Sequence, residues 1–304
     1  MMLSAAVSDL LRVDAVEVAV MRDSRLELPD LPIEVHWVET NWYATWRDCL
    51  AQADAVLPIA PETGGILEGL CREAEAVGCL LLNSNAEAVA LTASKQRTLE
   101  RLAQAQVPVA DSYRADSVPH LPTGALVIKP DRGVGCQDIH LLLGESALDD
   151  FLEAFGDRED WVVQPYVEGT AASLSLLVGR ECVCLLGANL QRVVQVDDGF
   201  LLLGCVVNGL RTEREPLHQL ARQICKAIPG LFGYVGVDLV MTEQGPVVLE
   251  INPRLTTSYV GLSQSTGENV AERILRLALD PYDLPAQPMF DKSVHIDLEL
   301  GRVA

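Results

Sequence analysis

The sequence predicts a mixed α/β (α+β) chain whose first part is a parallel α/β domain. Three observations carry that expectation. Short apolar, β-rich runs alternate with helical patterns as far as about residue 92. Strand-like runs there, such as 79–82, are nearly continuously apolar, as a parallel sheet covered on both faces requires. Farther along, two β-like segments, 234–241 and 246–252, flank a short polar turn and predict an antiparallel hairpin.

In chain order, strands are expected at 13–21 and 54–60, with helices at 42–53, 64–77 and 86–92. The loop Ala60-Pro61-Glu62-Thr63-Gly64-Gly65 leaves a strand and opens a helix, the place where open α/β sheets put ligands. It lacks a full G-x-G-x-x-G and so argues against a dinucleotide site. A second unit opens with Thr92-Ala93-Ser94-Lys95, where Ser94 can cap a helix over 95–104. Strands follow at 125–129 and 137–143, a helix at 147–155, and strands at 161–164, 173–179 and 181–187. The last part holds a helix near 215–228, the hairpin, a helix at 268–279, a Pro-rich linker at 281–290 and a short closing strand, 293–299. The expected division is 1–92, 93–168 and 169–304, with no internal repeat.

Composition narrows the class. At 304 residues, 49% apolar and 22% charged, the chain reads as a globular protein of two or three lobes. A net charge of −20 with only 23 basic residues, none in a dense run, argues against a nucleic-acid partner. No apolar stretch approaches a membrane span. The opening MMLSAAVSDLLRVD lacks a basic leader region and meets Asp9 and Arg12 early, unlike a signal peptide. The eight cysteines form no C-x-x-C pair, which fits a reduced cytoplasmic setting.

The chemistry gathers on the hairpin. Alternation puts Glu250 and Asn252 on one strand face. If Glu243-Gln244-Gly245 forms a three-residue loop with Gly245 left-handed, Asp238 lies opposite Glu250. A four-residue loop from Thr242 would send Asp238 to the other face. Opposed carboxylates repel, and a cation between them turns that cost into a site. Two carboxylates and an amide oxygen suit Mg²⁺. Arg254 and the hydroxyls of Leu255-Thr256-Thr257-Ser258 follow at once, equipment for holding a phosphate or carboxylate.

Two further elements point to a nucleotide. The strand ending in Lys129 runs into Pro130-Asp131-Arg132-Gly133-Val134-Gly135-Cys136, a glycine loop whose amides can approach polyphosphate. It is either that or a tight turn, and Lys95 at a helix start is either a second phosphate contact or a solvated lysine. The connector Gln164-Pro165-Tyr166-Val167-Glu168-Gly169 offers a backbone carbonyl and amide to an adenine edge, or is a plain strand exit.

Taken in order, these elements resemble the ATP-grasp superfamily over roughly residues 92–280, preceded by a lobe similar to that family's usual N-terminal domain. The resemblance implies an ATP-grasp fold with ATP between two antiparallel sheets. It implies Lys95 and Lys129 on the α- and β-phosphates, and a lid over the γ-phosphate that includes Gly133, Gly135 and Cys136. Gln164, Pro165 and Val167, with cover from Tyr166, would hold adenine. Many relatives carry an acidic ribose ligand seven residues after the Gln164 position; Ala171 stands there, and Glu168 is the substitute. Asp238, Glu250 and Asn252 would bind two Mg²⁺ ions, or Mn²⁺ in their place, with Glu250 bridging.

The implied reaction is carboxylate activation by ATP and capture of the acyl phosphate by an amine, with Arg254, Arg192 and Lys129 as catalytic candidates. Segments like Ile59-Ala60-Pro61-Glu62-Thr63, Leu82-Asn83-Ser84 and Glu250-Ile251-Asn252-Pro253-Arg254-Leu255-Thr256-Thr257-Ser258 look most like the tyramine– or tyrosine–glutamate ligases of methanofuran-type cofactor biosynthesis. That implies small-molecule substrates, glutamate and an aromatic amine, and a homodimer by family likeness. Trp42, Tyr43 and Trp46 either stack on such a ring or pack in a helix core. Other ATP-grasp ligases (dipeptide, purine or lysine-precursor type) and a non-catalytic ATP-binding regulator are the alternatives.

Overall fold

The computed structural model describes residues 1–26, 31–116, 118, 124–136, 138–155, 160–210, 212, 214–282 and 292–298. An unpredicted helix, α1 (Met2–Leu10), precedes the first lobe. There β1 (Ala19–Asp23) pairs in parallel with β2 (Glu34–Val38), and α2 (Trp42–Gln52) packs on both. The pair β3 (Ala55–Val56) and β4 (Leu80–Leu81) is also parallel, crossed by α3 (Ile66–Val77). The expected 13–21 strand is therefore displaced to 19–23, and β2 was not foreseen. Trp46 and Leu50 from α2 meet Val56, Leu70 and Ala74 in a small core, whereas Trp42 and Tyr43 are exposed.

Two helices lead out of this lobe. α4 (Ala86–Thr92) is capped by Asn85, and α5 (Lys95–Gln104) by Ser94, whose hydroxyl accepts from the Arg97 amide. The strands that follow form one ten-stranded sheet. Four of them are β5 (Tyr113–Arg114), β6 (Ala125–Pro130), β7 (His140–Leu143) and, after α6 (Glu145–Phe155), β8 (Trp161–Pro165). They pair in the order β7-β6-β8-β5, and α6 covers them through Leu148, Phe151 and Leu152. The expected strand 137–143 starts only at His140, and Gln137 lies outside the described residues.

The rest of the sheet comes from β9 (Thr170–Val178), β10 (Val183–Val196) and β11 (Gly199–Val207). After α7 (Arg214–Ala227) come β12 (Gly233–Thr242) and β13 (Gly245–Asn252). Helices α8 (Tyr259–Thr266) and α9 (Val270–Leu279) precede β14 (Val294–Asp297), which pairs with β11. Residues 283–290 of the expected linker and residue 299 of the expected last strand lie outside the described residues.

Period-two alternation decides which face each residue of β9 and β12 serves. Leu174, Leu176, Val235, Val237 and Leu239 meet Leu99 and Leu102 of α5 and Leu217, Leu220 and Ile224 of α7. Leu177 and Tyr234 face the other way, against Leu262 of α8 and Ile274 and Leu277 of α9. On that second side α1 docks by its C-terminal end. Asp9 accepts hydrogen bonds from Tyr259 (3.1 Å) and Ser263 (2.7 Å), and its carbonyl accepts one from Asn269 (2.8 Å).

Strand β11 went unpredicted because glycines interrupt its pattern. Gly204 has φ +141°, and a Cβ there would sit 2.0 Å from the Ile296 carbonyl oxygen of β14. The glycine marks close backbone approach, not the end of a strand. Gly204→Ala is expected to lower stability by about 2–4 kcal/mol through strain and displacement of β14, read as a drop in melting temperature.

Candidate functional site

The hairpin β12–β13 holds the acidic pair, by a different route from the one expected. The turn is one residue tighter: Thr242 pairs with Gly245, leaving Glu243-Gln244 as a two-residue loop. The Thr242 hydroxyl closes it, accepting from the Gln244 amide (3.1 Å) and donating to the Gly245 carbonyl (2.9 Å). Gly245 has φ +125°, outside the left-handed helical region assumed. Continued without interruption, that register would set Asp238 against Leu249. A bulge between the Leu239–Val248 and Asp238–Glu250 pairs restores the opposition of the two carboxylates.

Around the pair the polar contacts are dense. Asp238 accepts from Gln191 Nε2 (2.6 Å) and Asn252 Nδ2 (3.0 Å). Glu250 faces Lys95 Nζ at 3.5 Å, and Lys95 also donates to the Gly133 carbonyl (2.9 Å). Lys95 and Lys129 are both buried. Helix α5 grips the glycine loop at its base: the Lys95 amide donates to the Asp131 carbonyl and the Gln96 amide to the Asp131 carboxylate.

Burial shapes the titration of these groups. It raises the Asp238 carboxyl to about 7, reinforced by the Glu250 charge. For Glu250, burial is outweighed by Lys95 and Lys129, which hold its carboxyl below the ordinary value. Burial draws Lys129 down to about 8 against the pull of Glu250. The Cys136 thiol of the glycine loop is pushed up to about 11 by burial, with Asp238 and Glu250 adding to it. A carboxylate that burial and a neighbour force toward its neutral form is one that a cation would relieve. Two carboxylates and an amide oxygen are hard donors of the kind Mg²⁺ takes. Among the described residues no cluster of three or more His, Cys, Asp or Glu forms a metal cage. This donor set fits an ion that keeps other oxygen ligands.

The sign of the pH effect follows. Asp238 titrates higher folded than at its ordinary 3.8, so its contribution to stability is present at pH below about 4 and lost as pH rises to about 7. The metal-free protein is expected to lose melting temperature across that window, and saturating Mg²⁺ to diminish the loss. Melts in EDTA and in Mg²⁺ over a pH series check this.

Arg254 lies beside the pair. Its Nε donates to Glu62 Oε2 (2.9 Å), Nη1 to the Leu255 carbonyl (3.2 Å), and Nη2 reaches Asn252 Oδ1 at 3.5 Å. Glu62, Thr92, Ala93, Lys95, Gly133 and Glu250 line the cleft together with Ile251 and Asn252. The buried hydroxyls of Ser175, Tyr234 and Ser258 join the half-buried Thr256 in a hydrogen-bonded network. Arg192 is placed differently. It donates to the Leu203 carbonyl (3.1 Å) and pairs with Asp297, while its neighbour Gln191 turns toward Asp238, the opposite sheet face. Gln191 was missed in the sequence, although Asn189 and Gln191 alternate as polar residues on one face of β10.

On the connector, the Tyr166 amide donates to the Ala125 carbonyl (2.9 Å), which makes Leu126–Pro165 a non-hydrogen-bonded pair. The Pro165 carbonyl therefore points away from β6, and proline's missing N–H costs nothing there. Gln164 is buried, and its Nε2 has no hydrogen-bond partner among the described residues. Tyr166 stacks on Phe200 of β11, ring centroids 6.4 Å apart. The structure thus gathers Lys95, Lys129, Gly133, Asp238, Glu250, Asn252 and Arg254, with Gln164 and Pro165 on the adjoining strand.

The sequence and the fold have counterparts among known proteins. The profile of the ATP-grasp domain matches residues 92–258, and that of the pre ATP-grasp 3 domain matches 16–89. The chain belongs to the ATP-grasp family. This ATP-grasp chain is 28% identical over 225 residues to the tyramine–L-glutamate ligase of Methanocaldococcus jannaschii, covering 74% of this chain and 63% of that one. It is 35% identical over 120 residues to the ligase of the same name from Methanocaldococcus fervens, covering 40% and 38%. The chain thus spans less than two thirds of the length of either relative. An ATP-grasp superfamily protein from Archaeoglobus fulgidus superposes with a TM-score of 0.62 at 27% identity, covering 89% of this chain and 83% of that chain. No helix among the described residues is long and apolar enough to cross a membrane.

Proposed function

We propose that this ATP-grasp chain is an ATP-dependent amide ligase. It activates a glutamate carboxylate as an acyl phosphate and joins it to the amine of tyramine or tyrosine, in assembly of a methanofuran-type one-carbon cofactor. The observation that carries the reading is the half-buried Asp238–Glu250 pair with Asn252, set against Lys95, Lys129 and Arg254 in one cleft. The names of the two Methanocaldococcus relatives support the substrate pair. The chain divides accordingly into an N-terminal lobe, 1–92, a small ATP-grasp lobe, 93–168, and a large lobe, 169–304.

Asp238, Glu250 and Asn252 would hold two Mg²⁺ ions, or Mn²⁺ in their place. Bound there, the ions would neutralise charge spreading over the transferred phosphoryl group. Lys95 and Lys129 hold the polyphosphate as point charges, and the loop of Gly133, Gly135 and Cys136 covers it. The Pro165 carbonyl, the Val167 amide and the orphaned Gln164 amide read the adenine edge, with Tyr166 as cover and Glu168 on the ribose. Arg254 orients the carboxylate under attack. Arg192, tied to Asp297, supports the sheet edge from behind.

The donor carboxylate oxygen takes the γ-phosphoryl group and ADP leaves. The amine nitrogen then attacks the acyl carbon, the C–O bond to phosphate breaks with its electron pair going to phosphate, and the nitrogen loses one proton to solvent, keeping the other as the amide N–H. Preorganised cations supply most of the rate enhancement, since the acyl phosphate is already electrophilic. ADP release, measured with Mg-ATP, glutamate and tyramine or tyrosine, is expected to require both co-substrates. AMP in place of ADP would overturn the reading. ADP release with other acid–amine pairs only would retain the ligase and remove this substrate pair.

A further inference from the structure

The first lobe contributes one carboxylate to the cleft whose job the ligase chemistry above does not assign. Glu62 follows β3 in the loop before α3, and it is 7% exposed. One of its oxygens, Oε2, accepts from Arg254 Nε at 2.9 Å across 192 residues of chain. The other, Oε1, is buried and has no hydrogen-bond partner among the described residues. A buried carboxylate oxygen left unpaired costs free energy, and such atoms are rare unless a ligand completes them. Glu62 lines the cleft with Lys95, Glu250 and Asn252. Glu250 is engaged by Lys95, and the Arg254 guanidinium stands between Glu62 and Asn252. Glu62 is thereby separated from the metal-ligand set and remains available to a cation of another kind.

We propose that Glu62 Oε1 is the subsite for a substrate's primary ammonium group, placed beside the carboxylate that Arg254 orients. The proposal rests on the amide-ligase reading for its substrates. Both substrates carry the chemistry required: the acceptor amine is an ammonium ion before it reacts, and glutamate carries an α-ammonium. A carboxylate with one oxygen fixed on a guanidinium and the other directed to an ammonium recognises charge and direction together. It would discriminate against an uncharged isostere because the oxygen would then stay unpaired.

Glu62→Gln tests this, since the side-chain carbonyl can still accept from Arg254 while the charge is lost. Losing a charge-assisted hydrogen bond of this class corresponds to about a 10- to 100-fold rise in KM for the ammonium-bearing substrate, with KM for Mg-ATP unchanged. A rise confined to tyramine or tyrosine places the acceptor at Glu62, and a rise confined to glutamate places the donor there. Hydroxylamine, uncharged at neutral pH, traps the acyl phosphate as a hydroxamate and separates the arms further. If the acceptor sits at Glu62, its hydroxamate yield is unaffected by Glu62→Gln. Glu62→Asp, which keeps the charge, is expected to recover part of the loss.

Calorimetric binding of tyramine and of glutamate to the Mg-ADP-loaded protein gives a readout without turnover. Weaker binding in Glu62→Gln supports the subsite even where the wild type forms no ADP, an outcome that would count against the ligase reading alone. Unchanged KM and unchanged binding for both substrates, or an equal fall in amide and hydroxamate through kcat, would overturn the proposal and leave Glu62 as a positioning residue for Arg254.

Discussion

Glu250→Ala is expected to abolish ADP formation while the chain still folds. Glu250 is the point at which three charges meet: it stands opposite Asp238, 3.5 Å from Lys95, and close enough to Lys129 to oppose the drop in that lysine's pKa. Its removal deprives the proposed metal site of a carboxylate and leaves two buried ammonium groups without their counter-charge. Preorganised electrostatic groups of this kind contribute about 10²–10³ in rate singly, and losing Glu250 also unsettles Lys95 and Lys129, so a fall of at least about 10³-fold is expected. The fold survives because the sheet is held by the apolar contacts of β9 and β12 with α5 and α7, none of which involve this side chain. Full activity in a folded Glu250→Ala protein would sink the metal assignment.

Arg254→Met is expected to have the largest effect on stability. The Arg254 and Glu62 side chains are 13% and 8% exposed, so truncating one leaves the other charged and buried. Breaking such a pair from one side costs about 3–5 kcal/mol, mostly as the penalty on the abandoned charge. Adding Glu62→Gln to Arg254→Met removes that charge and is expected to recover much of the melting temperature, while activity stays lost in both proteins. An unchanged melting temperature in Arg254→Met would contradict the pairing.

The site was legible where residue type alone carries the chemistry. Asp238, Glu250, Asn252, Arg254 and the two lysines could be read from hard-oxygen donors, point charges and alternation. Their opposition was expected for a partly mistaken reason. Sequence spacing does not reveal that Thr242 tightens the turn by one residue and that a bulge at Leu249 compensates, because two offsets that cancel leave the same pairing. Strand β11 was hidden by Gly204, which looks like a breaker in one dimension and is a close-approach point in three. Gln191 and Arg192 were ambiguous for a similar reason: one step along a strand changes the face, and only the register with β9 and β12 shows which of them turns to Asp238. The partnership of Glu62 with Arg254 spans 192 residues and two lobes, beyond any local pattern. The loop that carries Glu62 was nonetheless visible as a place where α/β sheets put ligands.

The central claim, that this cleft makes an acyl phosphate, is tested most directly with glutamate labelled with ¹⁸O in its carboxylates. Incubated with Mg-ATP and the amine, the protein is predicted to transfer one ¹⁸O atom per turnover into inorganic phosphate, since the oxygen that accepts the phosphoryl group leaves with it. Label appearing in AMP, or turnover that leaves the phosphate unlabelled, would contradict the account.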